Sequence, residues 1–205
     1  MEKSIKQLIE QRISANHFDA SRPLADAEIA ELVRLATLAP SAFNFQNWHF
    51  VAVRSAEGKA RLKALAYGQQ KVVDAAVAII VCGRLAPQDG LPSVLAPAVE
   101  RGMLDQQIVD GWVTMAKAMY EGNLTLQRDE AIRSACLAAM TLMLAAEGMG
   151  LVTGPMIGFD AAAVAQAFDL EPNMIPAMLL TVGYASAGNW PQKPRRPVGD
   201  VLRFA

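Results

Sequence analysis

At 205 residues the chain is the size of one domain and can bury a substantial core. With 53 % hydrophobic and 19 % charged residues it is more apolar than an average soluble domain, so further burial in an oligomer interface is expected. A formal net charge of −1 offers no global field for nucleic acid or an anionic membrane, so any anion must be held by local clusters.

No uninterrupted apolar run reaches the ~18 residues of a membrane span; the longest, at 135–146, is flanked by Arg133 and Glu147. The first residues lack the apolar core of a signal peptide. Cys82 and Cys136 lie in apolar segments and read as buried reduced thiols of a cytoplasmic protein.

Residues 2–11 carry Ile5, Leu8 and Ile9 at helical spacing. A second helix follows with Asp26 as its N-cap and one apolar stripe, Ile29, Leu32, Val33 and Ala36; Pro40 lies just past its end. Residues 48–53 read as a strand, 56–66 as a helix, and 75–83 as a strand buried on both faces. The Pro- and Gly-punctuated region 86–128 holds helices around 97–104 and 107–120. Its Met103, Trp112, Met115, Met119 and Tyr120 fit a cap over a site or an interface element, with helical core packing the plainer expectation. Asp129 opens the longest helix, 130–148, apolar nearly all round and so central and buried. A short strand near 151–153, a helix from Asp160 to about 168, a strand at 177–185 and an extended basic tail complete the chain. With no repeats and no linker, this predicts a single α+β domain over 1–205: few strands and many helices, one layer of sheet covered by helices.

The motif search excludes more than it finds. The glycines of 148–154 follow a helix and run into Pro155, whereas a dinucleotide loop follows a strand and opens a helix. Phosphate-loop, nucleophile-elbow and zinc-ligand patterns are absent, so no metal site is expected. His49 alternates within a strand, where packing or hydrogen bonding is the plainer role. Two polar clusters remain. In residues 11–19, Arg12, Ser14 and Asn16 alternate and would share one side of an extended segment. In residues 191–197, Lys193 and Arg195 alternate between prolines that stiffen the backbone. Each alone also fits a solvated surface; together they would clamp one anion if the two ends of the chain meet.

In order, the pieces resemble the FMN-dependent nitroreductase family. The resemblance rests on R-x-S-x-[RK]-x-F at Arg12–Phe18, A-P-S-x-x-N-x-Q-P-W-x-F at Ala39–Phe50, the segment 68–81, the helix and loop 142–159, and K-x-R-x-P at Lys193–Pro197. It implies a mainly antiparallel central sheet flanked by helices, an intertwined homodimer with FMN in the subunit interface, and ping-pong reduction by NADH or NADPH of nitroaromatics, quinones or related electrophiles. Reductive dehalogenation, aldehyde or enone reduction, and passive flavin binding are the alternatives. Arg12, Ser14, Lys193 and Arg195 would surround the phosphate and ribityl chain, with Asn16 at a position usually held by a cation. Pro40, Ser41, Ala42 and Asn44 match the segment that reaches the ring from the other subunit. Gln69 and Lys71 match the polar segment at the pyrimidine edge, where Gly68 replaces a frequent Asn. Pro155, Ile157 and Gly158 match the flavin loop. No side chain is expected as catalytic acid or base. Phe43, Trp112 and Tyr120 are candidates for the acceptor pocket, and for Phe43 interface packing is as good a reading. Asn47 replaces the family proline, which predicts a less rigid turn.

Overall fold

The computed structural model describes residues 4–205, so residues 2 and 3 of the expected N-terminal helix lie outside the described residues. The elements are α1 (Ile5–Gln11), α2 (Asp26–Ala36), β1 (Trp48–Val53), α3 (Ala56–Leu65), α4 (Lys71–Asp74), β2 (Val77–Arg84), α5 (Pro87–Glu100), α6 (Gln106–Tyr120), α7 (Leu124–Gly148), β3 (Val152–Met156), α8 (Ala161–Ala167) and β4 (Met174–Gly183). The strands form one antiparallel sheet in the order β1-β2-β4-β3, as the family resemblance implies.

The period-two alternation of β2 builds both layers of the core. Val77, Ile79 and Val81 face α2 and α7, packing with Leu32, Ala135, Ala139 and Leu142. Ala78, Ile80 and Cys82 face the other way, toward Leu62 of α3, Val72 of α4 and Val164 of α8. Burial on both faces is why this strand reads as a continuous apolar run. The α7 helix comes so close to β2 that a Cβ on Gly83 would lie 2.1 Å from the carbonyl oxygen of Ala131.

Several boundaries differ from expectation for identifiable reasons. The α2 cap is Ala25, whose N–H donates to the Glu28 carboxylate at 2.8 Å; Asp26 instead pairs with Arg54. The α5 helix starts ten residues before the expected 97 and runs through Pro92 and Pro97, which read as breakers. Leu91 and Leu95 hold it by burial with Val109, Ala116 and Tyr120 of α6. The α7 helix begins at Leu124, not 130, where the Asn123 side chain accepts the Leu126 N–H at 3.1 Å. Its first turn carries little apolar periodicity. By length and composition alone α7 is apolar enough to cross a membrane. One face is core, with Ala135, Ala138, Ala139 and Leu142 fully buried, while Leu137 and Met140 stay exposed, so it is not buried all round in the single chain. The β3 strand extends to Met156 through Pro155, which an edge strand tolerates. Both cysteines are free thiols, and burial pushes Cys82 up to about 12.

Candidate functional site

The two ends of the chain meet. Segment 12–18 is extended; Ser14 bridges Thr153 on β3 in parallel, and the Ala15 N–H donates to the Thr153 carbonyl at 2.8 Å. Two side-chain amides of the tail then tie it to this segment. Asn189 Oδ1 accepts the N–H groups of Asn16 and His17 at 2.8 and 3.0 Å, and its Nδ2 donates to the His17 carbonyl at 2.7 Å. Gln192 Nε2 donates to the Arg12 carbonyl at 2.8 Å. As a result Arg12, Ser14, Lys193 and Arg195 line one small cavity with Trp190, Pro191 and Gln192. The Arg195 guanidinium donates to the Lys193 carbonyl at 2.6 Å, and that of Arg12 to the Ile13 carbonyl at 3.0 Å. A guanidinium has five N–H donors, so one such bond fixes each group and leaves most of its donors for a ligand.

A second set of side chains adjoins the first. Lys71 Nζ donates to Asn16 Oδ1 at 3.3 Å, and Gln69 Nε2 donates to the Gly158 carbonyl at 2.9 Å. Asn16 therefore positions a cation instead of supplying one. Burial first, and the charge of Lys193 second, hold the Lys71 ammonium below its ordinary pKa. An anion between the two ammonium groups would relieve both effects. Thr153 Oγ1, beside Ser14, is buried with no hydrogen-bond partner. The donor set fits a phosphorylated ligand with a polar rim. Gly68 has φ +75°, a left-handed conformation that glycine and asparagine adopt most readily, which reconciles it with the frequent Asn.

Residues 40–47 form a different kind of structure. Ala42–Asn44 is a single 3-10 turn; Phe43 and Asn44 within it, and Gln46 two residues after it, have positive φ, at 50°, 57° and 48°. Each costs on the order of 1–2 kcal/mol, so the conformation persists only if its surroundings impose it. The loop closes on itself: Asn44 N–H donates to the Ser41 carbonyl, Phe45 N–H to the Ala42 carbonyl, and Gln46 N–H to Ser41 Oγ at 3.0 Å. Accepting that bond leaves the Ser41 hydroxyl proton free to donate outward. Phe45 is buried; its ring lies 5.4 Å from Phe43 and 5.2 Å, edge-on, from Tyr120, while Phe43 meets Trp112 at 6.4 Å. Tyr120 is thus a packing residue behind Phe45, only 3 % exposed. Asn47 Nδ2 donates to the Arg84 carbonyl at 3.0 Å and the Arg84 N–H donates to the Asn47 carbonyl at 2.6 Å, so the missing proline is offset by a side-chain tether.

The chain gathers its candidate residues into two groups, not one. The cationic group and Pro155–Gly158 sit along β3, one edge of the sheet; residues 40–47 lead into β1, the other edge. Three strand spacings, about 14 Å, separate those edges. Thr153, Asn189 and Gln192 were not legible as site residues, because nothing in a Pro-rich tail or an edge strand marks which amide or hydroxyl will face the other terminus.

The sequence profile of the Nitroreductase family matches residues 9–184. The chain belongs to the nitroreductase family. MhqN of Bacillus subtilis, which carries the name of an NAD(P)H nitroreductase, is 34 % identical over 199 residues, covering 96 % of this chain and 97 % of that protein. YodC of the same organism, similarly named, is 33 % identical over 178 residues, 87 % of this chain and 88 % of its own. A nitroreductase structure from Exiguobacterium sibiricum, determined in complex with FMN, superposes with a TM-score of 0.92 at 31 % identity, covering 99 % and 98 % of the two chains. A nitroreductase structure of ydfN from Bacillus subtilis gives 0.91 at 33 % identity, covering 98 % of each. Family and fold are therefore those the sequence motifs resemble. The profile ends at residue 184, so Lys193 and Arg195 join the site through the geometry of the tail.

Proposed function

We propose that this nitroreductase-family protein is an FMN-dependent NAD(P)H oxidoreductase that acts as a homodimer and reduces nitroaromatics, quinones or related electrophiles by a ping-pong cycle. The observation that carries the reading is the convergence of Arg12, Ser14, Lys193 and Arg195 from opposite ends of the chain into one cavity. Bound FMN would supply a two-electron carrier between NAD(P)H and the acceptor. Arg12, Lys193 and Arg195 hold the phosphate charge, with the Ser14 hydroxyl as a further donor. Gln69 and Lys71 would hold the polar edge of the flavin, where the partly buried Lys71 ammonium would favour negative charge on the cofactor. Pro155, Ile157 and Gly158 would line the same ring, Ile157 and Gly158 being exposed residues. Pro40, Ser41, Ala42 and Asn44 of the partner subunit complete the pocket, because within one chain they are held at the far edge of the sheet. Phe43 and Trp112 wall the acceptor site, and Tyr120 backs them.

A second copy of the chain is also supported by apolar surface. A groove of Ile5, Leu8, Leu35, Leu38, Leu144 and Met149 is open, and Val198, Val201, Leu202 and Phe204 of the tail are exposed. The purified protein is expected to be yellow, to bleach anaerobically with NADPH or NADH, and to recover colour on adding an acceptor. A colourless protein that takes up no FMN would overturn the reading; a flavoprotein that never bleaches would leave passive binding.

A further inference from the structure

A buried carboxylate stands behind the lip formed by residues 41–46, and neither the cofactor nor the acceptor accounts for it. Glu130 of α7 is 2 % exposed. Its Oε2 accepts the Tyr120 hydroxyl at 3.2 Å and pairs with Arg133, while Oε1 accepts the Ser134 hydroxyl at 3.0 Å. The other end of Tyr120 is also tethered. Gln127 Nε2 donates to the Tyr120 carbonyl at 2.7 Å, and Gln127 Oε1 accepts the Ala86 N–H at 3.1 Å. Burial and the Glu130 charge push the Tyr120 phenol up to about 12, so it remains a protonated donor to Glu130 at neutral pH.

From Tyr120 the contacts run outward without interruption. Its ring meets Phe45 edge-on, Phe45 meets Phe43, and Phe43 meets Trp112. Phe45 lies between two left-handed residues, Asn44 and Gln46, and its buried ring ties that strained segment to α5 and α6. The hydrogen bonds within 41–46 close that segment on itself, and the tether to β2 comes only at its end, from Asn47 to Arg84, so packing of Phe45 is what holds the middle of the lip against the body of the protein.

We infer that Glu130 and Tyr120 are positioning residues for the 41–46 lip: the buried carboxylate fixes the phenol, the phenol fixes Phe45, and Phe45 fixes the width of the acceptor site. This rests on the proposed oxidoreductase function, with the lip at the acceptor site. It predicts that one hydroxyl, remote from any reacting atom, controls how well acceptors bind.

The test uses Tyr120→Phe, Glu130→Ala and Glu130→Gln in the FMN-loaded protein and, separately, in its apo form. Tyr120→Phe and Glu130→Ala are expected to raise acceptor KM by about threefold or more with kcat changed less than about twofold. The double variant should be no worse than either single one, as for residues acting through one contact. Glu130→Gln keeps an oxygen for the Tyr120 hydroxyl and should restore wild-type KM. In the apo form, hydrogen exchange at Asn44, Phe45 and Gln46 should quicken in the first two variants and stay slow in β2. Unchanged acceptor KM and unchanged exchange at 44–46 in Tyr120→Phe would overturn the inference, and so would exchange that quickens equally in β2. Failure of the wild type to bind or reduce FMN would instead sink the proposed function, since the exchange arm needs no flavin.

Discussion

Lys71 and Lys193 are close enough for one to lower the proton affinity of the other, and both belong to a cluster that Arg12 and Arg195 make more positive still. Such a cluster stabilises a ligand more than it stabilises the fold. Replacing Arg195 by Ala removes one charge-assisted contact, commonly about 1.5–3 kcal/mol, and should weaken FMN binding by roughly ten- to a hundredfold while leaving thermal stability of the apo form nearly unchanged. Flavin fluorescence titration measures it, and undiminished affinity would reject the phosphate role. Alternation in an extended segment puts cation and hydroxyl on one side, but each cluster alone also fits a solvated surface, and it was the family resemblance that joined the four residues. Their convergence was conditional on the termini meeting. The side chains that make them meet, Asn189 and Gln192, carry no periodicity, and the orphaned Thr153 hydroxyl is visible only once β3 lies beside Ser14.

Elements were legible in proportion to how far one periodicity governs them. β1, β2 and α3 lie close to the expected 48–53, 75–83 and 56–66, and β2 is marked by a continuous apolar run because neighbours bury both of its faces. α5 was obscured because tertiary burial of Leu91 and Leu95 overrides two internal prolines, and the start of α7 because Leu124 and Thr125 are exposed and the buried residue of that turn is a polar one, Gln127. The contact between α7 and β2 suggests a sharper test of how elements serve the site. A methyl group at Gly83 would meet the Ala131 backbone, which cannot rotate away, so α7 must move off the sheet. Gly83→Ala should destabilise the protein by about 3 kcal/mol, read as a lower urea midpoint. Because Glu130 precedes Ala131, the same shift should loosen the Tyr120 contact and raise acceptor KM even under conditions where the variant stays folded.

At the scale of the whole molecule, the separation of the two residue groups by the width of the sheet is the strongest reason to expect a partner subunit. Sedimentation of the FMN-loaded protein should give a dimer, and removal of residues 198–205, whose apolar side chains are exposed in the single chain, should shift it toward monomer with loss of flavin. A monomer that keeps FMN would contradict the interface site. The composition pointed toward association, but it could not say which surfaces meet, since exposed and core apolar residues are alike in sequence.

The meeting of the termini also has a consequence in time. Asn16 and its tether Asn189 are 173 residues apart, so a growing chain presents one half of the anion cradle long before the other exists. At about 5–20 residues per second the segment around Arg12 waits on the order of ten to forty seconds for Lys193 and Arg195 to emerge. No amino-terminal fragment, however well folded its sheet, can assemble the cradle. On the proposed function, flavin content would then count chains that carry Lys193 and Arg195, and a translation product truncated before residue 193 is expected to remain colourless.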